Sequence, residues 1–271
     1  MSKSKSLQKI CTNLRLRILD ITHRTGHKGA HVGGALSIVE LLAVLYLDVL
    51  KFDIARPHWP SRDRFILSKG HSALGLFAVL ESVGFIEKAA LDRFETNGSQ
   101  FYAHAHRELE KGIEFSGGSL SLGISFAVGV ALSCKRDNLG NHIYVLVGDG
   151  ECDEGLVWEA LMSASQFGLN NLTVIVDANG CQSDGYADEI MDKSNLEGRF
   201  GAFGFHVATI DGHNCQKFYN AIASRSTSKP NAIIANTTKG KGVSFMENNP
   251  DWHHGCLSID QYQQARLELS I

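Results

Sequence analysis

The chain has 271 residues, 44% of them hydrophobic and 20% charged, enough to bury a sizeable core as one large α/β domain or two small ones. Lys and Arg total 26 against 29 Asp and Glu, a net charge of −3, so there is no electrostatic case for a nucleic-acid or anionic-membrane partner. The longest apolar stretch, 35–50, carries Glu40 and Asp48 and does not read as a membrane span; the amino terminus lacks a signal-peptide core, and no two of the six cysteines form a CxxC pair. The expectation is a cytoplasmic protein.

The elements follow in chain order. Leu7, Ile10, Cys11, Leu14, Ile18 and Ile21 recur at helical spacing and predict an amphipathic helix over 5–22. A loop of glycines and histidines, 26–34, leads to a buried helix over 38–50 with Ser37 as its cap. Phe65 to Leu67 reads as a short strand, followed by a helix through Leu80, a second helix over 87–96 and a long loop over 97–118. The stretch 120–135 is a small-residue helix with Gly123 and Gly129, a candidate interface element.

The second half alternates cleanly. The runs 143–147 and 172–176 are continuously apolar, the mark of strands buried on both faces, with a helix over 154–167 between them. Two more strands, 205–210 and 232–235, flank a helix near 214–224. Strands alternating with helices predict a doubly wound, mostly parallel sheet with helices on both faces, in a single domain over 1–271.

Ligands of parallel sheets bind at the carboxyl ends of the strands. After 143–147 comes Gly148-Asp-Gly-Glu-Cys-Asp-Glu-Gly155, and after 172–176 comes Asp177-Ala-Asn-Gly-Cys-Gln182. Adjacent strands would place Asp149 and Asn179 on one rim. A carboxylate, an amide oxygen and a loop carbonyl are hard ligands that suit Mg²⁺ or Ca²⁺ and leave positions for phosphate oxygens. Competing motifs fail on spacing. Asp153 stands where GxGxxG needs its last glycine, Glu154 and Ala160 break an EF-hand, and Lys239-Gly-Lys-Gly242 is no P-loop. Lys239 and Lys241 fit a phosphate cradle or a solvated basic turn.

GDG, followed after 26 to 30 residues by an Asn behind a second apolar strand, is the thiamine-diphosphate pattern, and Gly148-Asp-Gly150 with Asn179 matches it. The chain resembles the transketolase family over residues 14–258, specifically the amino-terminal half that some organisms encode as a separate subunit. The likeness is carried by Gly26-His-Lys-Gly-Ala30, Asp63-Arg-Phe-Ile-Leu-Ser-Lys-Gly-His71, Gly112-Ile-Glu114 through Gly118-Ser-Leu120, GDGECDEG, DANG and Trp252-His-His-Gly255.

The resemblance implies thiamine diphosphate and Mg²⁺ (or Ca²⁺) as cofactors. It implies Asp149, Asn179 and the Cys181 carbonyl as metal ligands. Cofactor contacts would come from His71, Gly118, Leu120, Gly150, Glu151, Asn179, Gln182 and His254, with His253 taking the role of His254 if the alignment slips by one. His27 and His104 match substrate-facing histidines, and Glu154 a carboxylate that touches the activating glutamate of a partner. The implied reaction is transfer of a two-carbon ketol unit from a ketose, free or phosphorylated, to an aldose. The residues missing from this half would come from a separate carboxy-terminal subunit in an α2β2 assembly. The alternatives are a subunit of a 2-oxo-acid decarboxylating enzyme and a catalytically silent paralogue. Ser121-Leu122 stands where the family has Gly-Gln, Ser183 where it has a branched aliphatic, and Ala105 and His31 where it has prolines. These departures put the substrate in question more than the cofactor.

Overall fold

The computed structural model describes residues 3–270. Helix α1 (Lys3–Arg24) extends the predicted amphipathic helix by two residues at each end. The next helix departs from expectation. It is two short helices, α2 (Val32–Ser37) and α3 (Val39–Val44), ending in a wide turn over 45–49. Ser37 caps nothing: its hydroxyl donates to Asp177 at 2.7 Å and lies 3.0 Å from the Gly34 carbonyl oxygen. The chain breaks at Ile38, with φ −101° and ψ 7°. Gly33 and Gly34, which read as loop, are helical because α2 passes close to its neighbours. A Cβ on Gly33 would lie 2.5 Å from the Trp252 carbonyl oxygen.

β1 (Arg64–Leu67) and α4 (Ala73–Ser82) follow as predicted. The helix over 87–96 shrinks to α5 (Lys88–Leu91). The chain then turns so that Phe94 packs on Phe77, ring centroids 6.3 Å apart, and Glu95 takes a positive φ of 58°. The remaining elements are α6 (Leu122–Arg136), β2 (Ile143–Gly148), α7 (Gly155–Gln166), β3 (Leu172–Ala178), α8 (Ala187–Ile190) and α9 (Leu196–Ala202). They end with β4 (His206–Asp211), α10 (Cys215–Ala223), β5 (Asn231–Asn236) and α11 (Ile259–Ser270).

All strand pairs are parallel, in the order β1-β2-β3-β5-β4. Because successive strand residues face opposite ways, the sheet feeds two cores. Tyr144, Leu146 and Ile175 pack with α1–α4, whereas Val145, Val147, Val174 and Val176 pack with α6, α7 and α9. Strand β4 is less buried than the other strands. It is an edge strand paired only with β5, and most of its residues are half-exposed or exposed.

Candidate active site

The β2–β3 register pairs Gly148 with Asp177, so the two acidic loops leave adjacent strands at the same level. Asp149 is 4% and Asn179 6% exposed. One Asp149 carboxylate oxygen accepts from the Gly150 N–H at 2.9 Å, the other from the Gly180 N–H at 2.7 Å. Asn179 Oδ1 accepts from the Cys181 N–H at 3.1 Å. These groups line a cavity of about 230 Å³ together with His31, Lys69, His71, His104 and His253. A larger opening of about 570 Å³ at the amino ends of the strands takes in Asp63 but none of the residues of the two acidic loops.

Gly150 is a cradle position. A Cβ there would meet Gln182 Cγ at 2.7 Å, and Gln182 in turn donates to Asp153 at 2.9 Å. Glu151 is buried beneath it, accepting from Ser68 Oγ at 2.5 Å, the Ser121 N–H at 2.7 Å and the Gly148 N–H at 3.1 Å. It shapes the loop and also lines the cavity, as does Gln182. Ser121 sits at φ 66°, the left-handed region where a glycine costs least, which accounts for the glycine of the family pattern. Gly118 and Leu120 line the cavity mouth. Gly70 backs against them so closely that a Cβ would lie 2.7 Å from the Gly118 nitrogen.

Two lysines are central: Lys69, which the sequence left without a role, and Lys239, read from it as a phosphate cradle or a solvated basic turn. Lys69 is 1% exposed and pairs with the fully buried Asp177. Lys239 is not a solvated turn; it too is 1% exposed, its ammonium 3.4 Å from the Cys181 carbonyl and 3.2 Å from His253 Nδ1. Burial and the charge of Lys69 lower its pKa to about 8. Burial and the nearby Asp177 push Asp149 up to about 6. Asp177 moves the other way: burial alone would raise it, but Lys69 holds it below the usual carboxylate range.

His27 is exposed and outside the cavity lining; the residue of that loop that reaches the cavity is His31. A two-way bridge between Ala30 and Gly255, 2.9 and 3.0 Å, brings the loop against the histidine pair. His31 sees the rings of His254, His253, His104 and His71 at 4.7, 5.4, 5.5 and 5.8 Å. Within the pair, His253 lines the cavity and His254 is exposed at its edge. Burial lowers His31 to about 4 and His253 to about 3, and takes His71 well below its ordinary value. These rings are neutral hydrogen-bonding groups at pH 7. His104 lines the cavity as expected. Glu154 is exposed at the start of α7, outside the cavity lining.

Among the described residues no cluster of three or more His, Cys, Asp or Glu side chains is placed to hold a metal. The donor set that is present mixes one carboxylate, one amide oxygen and one main-chain carbonyl, which suits a hard cation that keeps other positions for phosphate oxygens.

Oxygen donors, buried ammonium groups and a position without a side chain, gathered at the carboxyl ends of parallel strands, define an α/β ligand-binding domain. Residues 7–271 match the family described as "Transketolase, thiamine diphosphate binding domain". The chain belongs to the transketolase family. It is 43% identical over 241 residues to the 6-deoxy-6-sulfo-D-fructose transketolase subunit of Clostridium sp. (strain MSTE9), covering 88% of each chain. It is 38% identical over 258 residues to one subunit of the apulose-4-phosphate transketolase of Phocaeicola vulgatus, covering 94% of this chain and 91% of that one. The crystal structure of transketolase from Campylobacter jejuni superposes with a TM-score of 0.90 at 29% identity, over 98% of this chain and 43% of that one. Thus the chain spans most of the relatives named as subunits and about two-fifths of that transketolase.

Proposed function

We propose that the chain is the cofactor-binding subunit of a two-chain transketolase, transferring a two-carbon ketol unit from a ketose or its phosphate to an aldose. One observation carries the reading: the ends of β2 and β3 bring Asp149, Gly150, Asn179 and the Cys181 carbonyl to one cavity beside two buried lysines. Thiamine diphosphate, when bound, supplies the nucleophilic carbon and electron sink for cleavage beside a carbonyl. The chain's own residues bind and orient. Asp149, Asn179 and the Cys181 carbonyl would hold Mg²⁺, the Gly150 cradle and His71, His253 and Lys239 the diphosphate, and Gly118 and Leu120 the rings. His31, a neutral ring at pH 7, and His104 would face sugar hydroxyls, and the role expected of His27 is assigned to His31.

The partner is proposed to cover α6. Leu122, Phe126, Gly129 and Ser133 form an exposed stripe along it, continuous with the 37% exposed Leu120 at the cavity mouth. Glu154 is exposed near that side and free to reach a partner's carboxyl. Relatives of similar length being named subunits supports the same division, and closed pairing of two such sites gives α2β2.

The test is thermal unfolding of the chain, alone and with its partner, with thiamine diphosphate in the presence and absence of Mg²⁺. Ligand at 100 times its Kd adds about 2.7 kcal/mol, several degrees for a chain of this size. Stabilisation should need both components and vanish in Asp149→Ala. No stabilisation, even in the assembled pair, would end the reading.

A further inference from the structure

Asp177 lies behind the candidate metal loop and is wholly buried, yet four donors from separate parts of the chain converge on it. Its Oδ2 accepts from Ser37 Oγ of α2 at 2.7 Å, from Asn179 Nδ2 at 2.8 Å and from the Lys69 ammonium after β1. Its Oδ1 accepts from Thr237 Oγ1, just past β5. Both oxygens are therefore engaged by protein donors, and Asp177 is not itself placed as a ligand.

The informative member is Asn179. An amide has two unlike ends: its oxygen attracts a cation and its NH₂ group repels one. A free asparagine turns between the two. Here the Nδ2 end is tied back to Asp177, while Oδ1 accepts the Cys181 N–H at 3.1 Å and keeps a second lone pair, so Oδ1 is the end available to the cavity that Asn179 lines. Ser37, Lys69 and Thr237 hold the carboxylate still, and the Lys69 charge compensates its burial.

We propose that Asp177 is the positioning residue of this loop, fixing the Asn179 amide with its oxygen outward before any cation arrives. The inference rests on the reading of the site as a metal–diphosphate site. Outer partners that orient ligands are typically worth about 10–100-fold in metal affinity.

The experiment uses the full chain with thiamine diphosphate, with its partner if the pair is needed for binding, and Mn²⁺ as a paramagnetic probe. Asp177→Ala should weaken Mn²⁺ binding about 10–100-fold. Asp177→Asn should retain most of it. The new amide can set its oxygen toward Asn179 and Lys69 and its NH₂ toward Thr237, whose hydroxyl turns to accept. Unchanged affinity in a folded Asp177→Ala, or equal loss in both variants, would overturn the proposal. A second measurement needs no variant at position 177. In ¹⁵N spectra of the native chain, the Asn179 side-chain NH₂, assigned by its loss in Asn179→Asp, should exchange far more slowly than exposed asparagines. Exchange at the exposed rate refutes the positioning. If the native chain holds no Mn²⁺, the metal–diphosphate reading has failed, and the amide exchange still decides the orientation.

Discussion

Arg15 of α1 grips Glu40 of α3 with two parallel hydrogen bonds, 2.6 and 2.7 Å, in a pair whose side chains are 8% and 9% exposed. His213 adds a third, Nδ1 to Glu40 at 2.9 Å, while its Nε2 accepts from the Thr238 N–H at 2.8 Å. The first helix is thereby tied, through one carboxylate and one imidazole, to the loop that carries Lys239.

Burial alone would raise the Glu40 carboxyl, but hydrogen bonds from His213 and Arg15 bring it down to about 2. A folded-state value below the unfolded one contributes stability that is complete above the ordinary carboxyl range and is lost as pH falls toward 2. Glu40→Gln leaves Arg15 buried without its charge partner, and should cost about 3–5 kcal/mol at pH 7. Urea unfolding measures it, and a loss under about 1 kcal/mol would mean that water reaches the pair.

His142 gives a second pH dependence with a different window. It is 8% exposed, its Nε2 lies 2.8 Å from Thr173 Oγ1, and burial lowers its pKa to about 3. The unfolded chain binds this proton near pH 6.5 and the folded chain does not, so stability is complete above that pH and falls as the pH drops toward 3. The limit is about 1.4 kcal/mol per pH unit for one such proton. His31, His71 and His253 act in the same direction. His142→Gln should reduce the slope of unfolding free energy between pH 6 and 4; an unchanged slope refutes the assignment.

Gly129 sits mid-helix on the exposed stripe of α6, and a Cβ there meets nothing within 4 Å. In the isolated chain Gly129→Ala should therefore stabilise by about 0.5–1 kcal/mol. In the assembled enzyme the same change should weaken association if the partner's backbone packs against that glycine, and Phe126→Asp should abolish association while leaving the fold intact. Sedimentation of the co-expressed pair reads both. Full assembly of Phe126→Asp would move the interface off α6.

The strands around the site were legible because parallel strands covered on both faces are continuous apolar runs, as 143–147 and 172–176 are. Asp149, Gly150 and Asn179 were legible because their spacing matches one strand–helix–strand unit. Other placements have local causes that the sequence does not display. His27 and His31 both stand among glycines, and beside the bridge from Ala30 to Gly255 it is His31 that lines the cavity. His253 and His254 differ by one residue on an irregular turn, where periodicity says nothing. Ser37 looked like a cap because its neighbours are apolar; its actual partner, Asp177, is 140 residues away. Asp177, Lys69 and Lys239 were inside quoted motifs, yet burying a charge needs a partner that only the tertiary structure supplies.

Three of the four donors of the Asp177 hub lie 140, 108 and 60 residues from it along the chain. Contacts of such separation are made late, after the loops between them have closed. A chain emerging from the ribosome has no cofactor loop in working order until Thr237 is out and β5 has slotted between β3 and β4. On the proposed reading, a product that stops short of β5 lacks the Thr237 contact to Asp177 and so carries an unfinished site.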